Sequence, residues 1–188
     1  MKHENKQSVI KGIISITSTG MGFLTVVGFE EDILIERQFL NTALHSDEVE
    51  VILFPKIEKE RLSGEVVKVL KRVKMEFVGT VDKKKGSAIA FVVPDDKKMY
   101  MDIFISPVDS GKIQNNQKVL SQIIKWDDPK KNPEGKILKV IGKKGDNNAE
   151  MESIVLEKGF QMGFPSKVER EAEALEKKSK PIPQKDII

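Results

Sequence analysis

The sequence predicts a mainly β protein, built from two consecutive five-stranded barrels and followed by short C-terminal helices. Three observations support this fold class. The chain of 188 residues repeats itself at an offset of 67 to 71 positions, each repeat contains five short β-branched segments, and the residues after 144 lack that pattern. A repeat of about 70 residues predicts one supersecondary unit that occurs twice.

The repeat is carried by matched segments that follow one another in the same order. Gly12 is matched by Gly79, and Phe23 by Phe91. Asp32-Ile33-Leu34-Ile35 is matched by Asp102-Ile103-Phe104-Ile105, and residues 63–70 are matched by residues 134–141. The small drift of the offset is what short loop insertions produce.

Alternating apolar and polar positions with polar breaks predict the strands of both repeats. We expect strands near 9–17, 21–27, 32–36, 47–54 and 62–70, then near 75–82, 87–93, 99–105, 117–126 and 134–141. Closure into a barrel removes exposed strand edges, and five short strands favour the OB type. The first barrel is expected over residues 9–71 and the second over residues 74–144.

The C-terminal part has helical spacing. Asn147 or Asn148 is a suitable N-cap for a helix that runs to about Lys158, with Gly159 as its stop. Met151, Ile154, Val155 and Lys158 fall on one face of this helix. Ser166 opens a second, highly charged helix, so that a helical connector is expected over residues 147–178.

Composition excludes several kinds of site. The chain has no cysteine and two histidines, which excludes disulfides, thiolate metal sites and a multi-histidine metal site. The net charge of +3 is too small to indicate a nucleic-acid partner by itself. No apolar run approaches the roughly 18 residues of a membrane span. We expect a cytoplasmic protein without a membrane partner.

Alternation also predicts which side chains point outward from the barrel. Bases of a single-stranded RNA can stack on such side chains. Ile103 and Ile105 are better core residues than Phe104, which places Phe104 outside the barrel. The predicted RNA-binding residues are Met21, Phe23, Leu34, Ile89, Phe91, Tyr100, Phe104, Lys83, Lys84 and Lys85. The three lysines lie in a turn beside this face, where they contact phosphates or form a solvated loop. Packing in the core is the ordinary alternative for the apolar residues.

Two motifs carry a resemblance to cold-shock domains. Thr19-Gly20-Met21-Gly22-Phe23-Leu24 resembles the Lys-Gly-Phe-Gly-Phe-Ile motif, and Asp102-Ile103-Phe104-Ile105 resembles the Asp-Val-Phe-Val motif. Met21 and Ile89 replace the first aromatic residue, while Glu36 and Ser106 replace the usual histidine. The second barrel carries Phe104 where the first carries Leu34, which has less stacking power. We therefore expect stronger RNA binding by the second barrel.

A more specific resemblance follows. Residues 133–142 with Gly145-Asp146 resemble the end of the second cold-shock domain in ribonuclease R-like proteins of the RNase II family, and residues 150–154 and 159–165 resemble the connector to its catalytic domain. The family implies a magnesium-dependent 3′-to-5′ exoribonuclease that releases nucleoside monophosphates. Its clustered aspartates would lie beyond Ile188, and a truncated or proteolysed chain is expected. Asp95-Asp96 and Asp127-Asp128 lie in turns beside proline, so no catalytic residue, metal or cofactor is expected here.

Two functions remain open at this point. The chain is a single-stranded RNA-binding fragment that guides RNA 3′ ends to the catalytic domain of the full-length protein, or it is a structural or protein-docking OB module of an RNA-processing or translation complex. Low net charge and an aromatic content of 6% favour the second function.

Overall fold

The computed structural model describes residues 9–55 and 61–160, and within them ten strands form two five-stranded units. The first unit contains β1 Val9–Ile16, β2 Gly22–Thr25, β3 Ile33–Ile35, β4 Glu48–Leu53 and β5 Gly64–Lys71. The second contains β6 Glu76–Asp82, β7 Ala90–Pro94, β8 Ile103–Ile105, β9 Gln117–Lys125 and β10 Glu134–Lys143. The predicted fold class is confirmed, and each predicted strand has a counterpart.

The first unit is a curled sheet in the order β3-β2-β1-β4-β5. Its ends meet where Leu34 forms a parallel bridge with Ser63, and the Leu34 amide donates to the Leu62 carbonyl at 2.8 Å. The enclosed core contains the fully buried side chains Ile14, Leu24, Ile33, Ile35, Val49, Val51 and Val66.

The second unit is a closed barrel in the order β10-β8-β7-β6-β9, in which β10 and β8 run parallel. Ile103 and Ile105 are fully buried inside it, as alternation predicts. A short helix, α1 Pro107–Ser110, follows β8. Both units therefore present the strand pair β2–β3 or β7–β8 at equivalent positions.

Gly12 and Gly79 recur because a neighbouring backbone crosses closely at the same place in each repeat. A Cβ atom on Gly12 would lie 2.7 Å from the Thr25 carbonyl oxygen, and one on Gly79 would lie 2.5 Å from that of Val93. Any side chain at these positions would push the paired strand away, so the repeat of glycine reflects packing.

Helix α2, Asn147–Glu157, packs on the second barrel with Ala149 and Ser153 buried. Asp146 is its N-cap and accepts from the Ala149 amide at 3.0 Å, so the prediction of an asparagine cap was wrong, while Gly159 follows the helix with φ of +78°. The face that carries Met151 and Ile154 points to solvent, since these side chains are 68% and 64% exposed.

Ion pairs explain why α2 turns its polar side inward. The Glu157 carboxylate accepts from the Val78 amide at 3.0 Å and pairs with Lys74, while Lys118, 5% exposed, lies 3.7 Å from Glu150. These contacts are made with side chains of the second barrel and its approach, which the spacing within the helix does not reveal. The second predicted helix, from Ser166, lies outside the described residues.

The two barrels are joined through the segment between β5 and β6. Asp47 is fully buried at this joint, where it accepts from the Leu44 amide at 2.8 Å and from the Val73 amide at 3.1 Å. The Arg72 guanidinium lies 3.4 Å from Asp47 and 5.7 Å from the Trp126 ring centroid in the second barrel. Leu44 of the first barrel packs in the apolar core of the second.

Candidate nucleic-acid interface

The outer face of the first barrel carries an apolar pair with an arginine beside it. Phe23 on β2 and Leu34 on β3 are register partners and are half-buried, because their chain neighbours point into the core. The Arg61 guanidinium lies 5.1 Å from the Phe23 ring centroid, and its Nε donates to the Asp32 carbonyl at 2.9 Å. A flat apolar pair next to a fixed cation suits a base and its phosphate. We name Phe23 and Leu34 the first platform.

The second barrel carries two rings at the equivalent place. Phe91 on β7 and Phe104 on β8 are register partners, with ring centroids 5.8 Å apart and planes at 64°. Both are half-buried, in the outward orientation that alternation predicts. Ile89, 42% exposed, lies immediately before β7 and is not part of the strand pair. We name Phe91 and Phe104 the second platform.

The three predicted lysines differ in their contacts. The Lys83 ammonium donates to the Ser110 carbonyl and, at 3.4 Å, to that of Ile113. Lys83 is therefore engaged by the barrel itself, which does not fit its predicted contact with phosphate. Lys84 and Lys85 are exposed at the turn between β6 and β7 and remain suited to that contact.

Tyr100 does not lie where alternation predicts. It precedes β8, and its hydroxyl donates to the Ala43 carbonyl of the first barrel at 2.9 Å, while its ring lies 5.7 Å from that of Trp126. Burial raises the pKa of Tyr100 far above its usual value. Tyr100 is among the residues predicted to face outward and bind RNA, but β8 begins only at Ile103, and Tyr100 joins the two barrels instead.

A cleft of about 680 Å³ separates the barrels on the Tyr100 side. Its lining is more apolar than polar and includes Met21, Glu36, Arg37, Gln38, Asn41, Tyr100, Met101, Pro129 and Lys130. Arg37 donates to the Tyr100 carbonyl at 2.7 Å, which fixes a cation at the cleft. Two of the predicted residues, Met21 and Tyr100, therefore line the same cleft between the barrels. Alternation within single β-strands does not predict this arrangement.

A histidine connects the barrels beside a second, more polar hollow. His45 Nδ1 accepts from the Ile16 amide at 3.0 Å, and its Nε2 lies 2.9 Å from the Lys98 ammonium. Burial, followed by the charge of Lys98, lowers the pKa of His45. The neutral imidazole, with its proton on Nε2, is the form whose Nδ1 accepts from the Ile16 amide.

The paired aspartates take part in turns and ion pairs. Asp96 accepts from the Lys98 amide at 3.0 Å, Asp128 accepts from the Lys130 amide at 2.9 Å, and Asp95 pairs with Lys118 at 2.6 Å. Within residues 9–55 and 61–160, no group of three or more histidine or carboxylate side chains is placed to hold a metal ion. No helix in this described part is long and apolar enough to cross a membrane.

Comparison with known proteins assigns both barrels. Residues 12–69 match the family Ribonuclease B OB domain, and residues 91–165 match the family Cold shock domain. Ribonuclease R of Thermotoga maritima is 32% identical over 179 residues, which cover 94% of this chain and 24% of that protein. Ribonuclease R of Escherichia coli K12 is 28% identical over 134 residues, which cover 71% of this chain and 16% of that protein.

Solved structures share the fold. RNase R of Mycoplasma genitalium, in complex with ribose methylated single-stranded RNA, has a TM-score of 0.74 at 21% identity, covering 88% of this chain and 26% of that one. Yeast Ssd1, described as a pseudonuclease, has a TM-score of 0.68 at 20% identity, covering 85% and 26%.

The fold and its two outward platforms define a tandem OB-domain protein, with one barrel of the Ribonuclease B OB type and one of the cold shock type. The chain spans about a quarter of the length of the Thermotoga relative. It belongs to the ribonuclease R family, which confirms the resemblance found in the sequence.

Proposed function

We propose that the two barrels bind single-stranded RNA in a ribonuclease R-like exoribonuclease and guide RNA 3′ ends toward its catalytic domain. The observation that carries this proposal is an outward apolar pair at equivalent positions of both barrels, Phe23 with Leu34 and Phe91 with Phe104. Bases of any sequence stack on such side chains. The Mycoplasma relative in complex with single-stranded RNA supports the choice of ligand.

Basic side chains lie near both platforms and in the cleft, where they can contact the phosphates of an RNA strand that crosses both barrels. Arg61 is beside the first platform, Arg37 and Lys130 line the cleft between the barrels, and Lys84 and Lys85 border the second platform. Because each phosphate contact releases counterions, the affinity is expected to fall as the salt concentration rises.

Hydrolysis is assigned in this proposal to the catalytic domain of the full-length protein, with magnesium as its metal. The described residues of the barrels do not fit a magnesium site, since no three carboxylate or histidine side chains among them are placed to hold a metal ion. We also propose that the full-length protein is cytoplasmic, which cell fractionation tests.

Fluorescence anisotropy with a labelled single-stranded RNA, at low and high salt, tests RNA binding by the 188-residue chain. Removing a stacking ring costs about 1–3 kcal/mol per base. Phe91→Ala with Phe104→Ala is therefore expected to weaken binding about tenfold or more, and Phe23→Ala alone about fivefold or more. Phe160→Ala is the matched control, because Phe160 is 66% exposed beyond the end of α2. Unchanged affinity in both platform variants would contradict the proposal.

A second candidate function, docking on another protein domain, is favoured by one observation. Met151, Ile154 and Phe160 are 68%, 64% and 66% exposed on and just after α2. The partner that fits is the catalytic domain of the same protein, because the Thermotoga relative is about four times as long as the matched region. Weaker association with a separately expressed catalytic domain in Met151→Ser with Ile154→Ser, at unchanged RNA affinity, would support docking.

A further inference from the structure

The second platform has a carboxylate at each end of its aromatic pair. Asp82 on β6 is the register partner of Phe91, and Glu134 on β10 is the register partner of Phe104. Register partners on neighbouring strands point to the same face and lie about 5 Å apart. The four side chains therefore form one row across the outer surface, in the order acid, ring, ring, acid. Both acidic residues are exposed.

The equivalent row of the first barrel is neutral at both ends. Ser15 is the partner of Phe23, and Ser63 bridges to Leu34. Ser15 corresponds to Asp82 and Ser63 to Glu134 in the repeat. The first row therefore has hydroxyl groups and a neighbouring arginine where the second row has carboxylates.

The carboxylates of the second row are available to a ligand. Among the ion pairs of residues 9–55 and 61–160, none involves Asp82 or Glu134. The lysine that follows Asp82 is engaged by carbonyl groups, and Lys125, the partner of Glu134, lies 3.4 Å from Asp127. Burial, followed by the charge of Asp82, raises the pKa of Asp102, so the carboxylates of Asp82 and Asp102 lie close enough to interact.

An ionised carboxylate accepts hydrogen bonds and donates none. A base that stacks on Phe91 and Phe104 brings its polar edge toward one end of the row. Cytosine, adenine and guanine carry an amino group that donates to a carboxylate there. Uracil has no amino group. Its two carbonyl oxygens flank one imino group, and like the carboxylate they only accept hydrogen bonds, so they repel it.

We propose that Asp82 and Glu134 make the second barrel selective for bases with an amino group and against uracil, while the first barrel is indifferent to the base. This inference rests on the proposed RNA binding. The phosphates of the bound strand then lie away from the row, toward Lys84 and Lys85 in the turn next to Asp82. The two barrels thus divide the binding of RNA between general and base-dependent contacts.

Cytidine and uridine 12-mers test this selection, because the two pyrimidines have the same size. Anisotropy titrations use the full chain carrying Phe23→Ala and Leu34→Ala, so that the second platform dominates the binding. A good contact to a base edge discriminates by about 1–3 kcal/mol, and we expect a preference for cytidine of about fivefold or more. Asp82→Asn with Glu134→Gln is expected to bring the ratio of the two affinities close to one. Glu65→Gln, an exposed carboxylate on β5, is the matched control and keeps the ratio.

The outcomes separate this inference from the proposed function. Equal binding of the two 12-mers before substitution overturns the selection and leaves RNA binding in place. A preference for cytidine that survives Asp82→Asn with Glu134→Gln overturns the assignment to these residues. No binding of either 12-mer, by this variant or by the unsubstituted chain, overturns the proposed function and the selection together.

Discussion

Removal of the Asp47 carboxylate is expected to destabilise the joint between the barrels strongly. The side chain is fully buried and accepts hydrogen bonds from the amides of Leu44 and Val73, with Arg72 at 3.4 Å. In Asp47→Ala both amides lose their acceptor, and the guanidinium loses its buried partner. Burial raises the pKa of Asp47, and the two amides and Arg72 oppose part of that effect by stabilising the carboxylate.

The magnitude follows from the number of donors. A hydrogen bond to a charged group contributes about 1.5–3 kcal/mol, so two amides give about 3–6 kcal/mol. Arg72 also donates to the Thr42 carbonyl, so its guanidinium keeps one partner and adds little to this loss. Water that enters the vacated space offsets part of the loss, and we expect about 3–5 kcal/mol for Asp47→Ala. Asp47→Asn keeps the shape and one acceptor, and about half that loss is expected.

Equilibrium urea unfolding, followed by the fluorescence of Trp126, measures these losses. Trp126 is the single tryptophan of the chain, and its ring lies 5.7 Å from the Arg72 guanidinium. Glu48→Ala, at an exposed neighbouring position, is the control and should change the free energy of unfolding by less than about 0.5 kcal/mol. A loss below about 1 kcal/mol in Asp47→Ala would refute the reasoning.

Three further predictions concern the joint and the strands. Because the pKa of His45 is lowered from 6.5, the unfolded chain takes up a proton first as the pH falls; stability should be full above pH 6.5 and decline below it, and His45→Gln should flatten urea midpoints measured across that range. Tyr100→Phe loses the hydrogen bond to the Ala43 carbonyl and should cost about 0.5–1.5 kcal/mol in urea unfolding; no loss would mean that the bond contributes nothing. Gly79→Ala places a Cβ 2.5 Å from the Val93 carbonyl oxygen and should cost about 1–3 kcal/mol, seen as a lower midpoint of thermal unfolding; an unchanged midpoint would contradict the close approach.

The sequence predicts the barrels well because their pattern is local. Alternation along each strand separates Ile103 and Ile105, which are buried, from Phe104, which faces outward. The glycine repeat of Gly12 and Gly79 marks the same backbone crossing in both units. Each of these features depends on neighbours within one repeat, so a single repeat contains the information needed.

What the sequence does not predict depends on contacts between distant segments. Tyr100 is drawn to a carbonyl of the other barrel, and Arg61 reaches the Phe23 ring from 38 positions along the chain. Helix α2 exposes Met151 because Lys74 and Lys118 attract its acidic side chains. The acidic ends of the second platform follow from strand register, which alternation within one strand leaves undetermined.

The position of Leu44 has a consequence for dissecting the protein. This side chain belongs to the first barrel by sequence and to the core of the second by packing, where it is 2% exposed. If the barrels were expressed separately, the first would expose Leu44 to water, and the second would contain a cavity where Leu44 packs. Cutting the chain between β5 and β6 therefore damages both halves, and deletion studies of the barrels are better replaced by point substitutions on the two platforms.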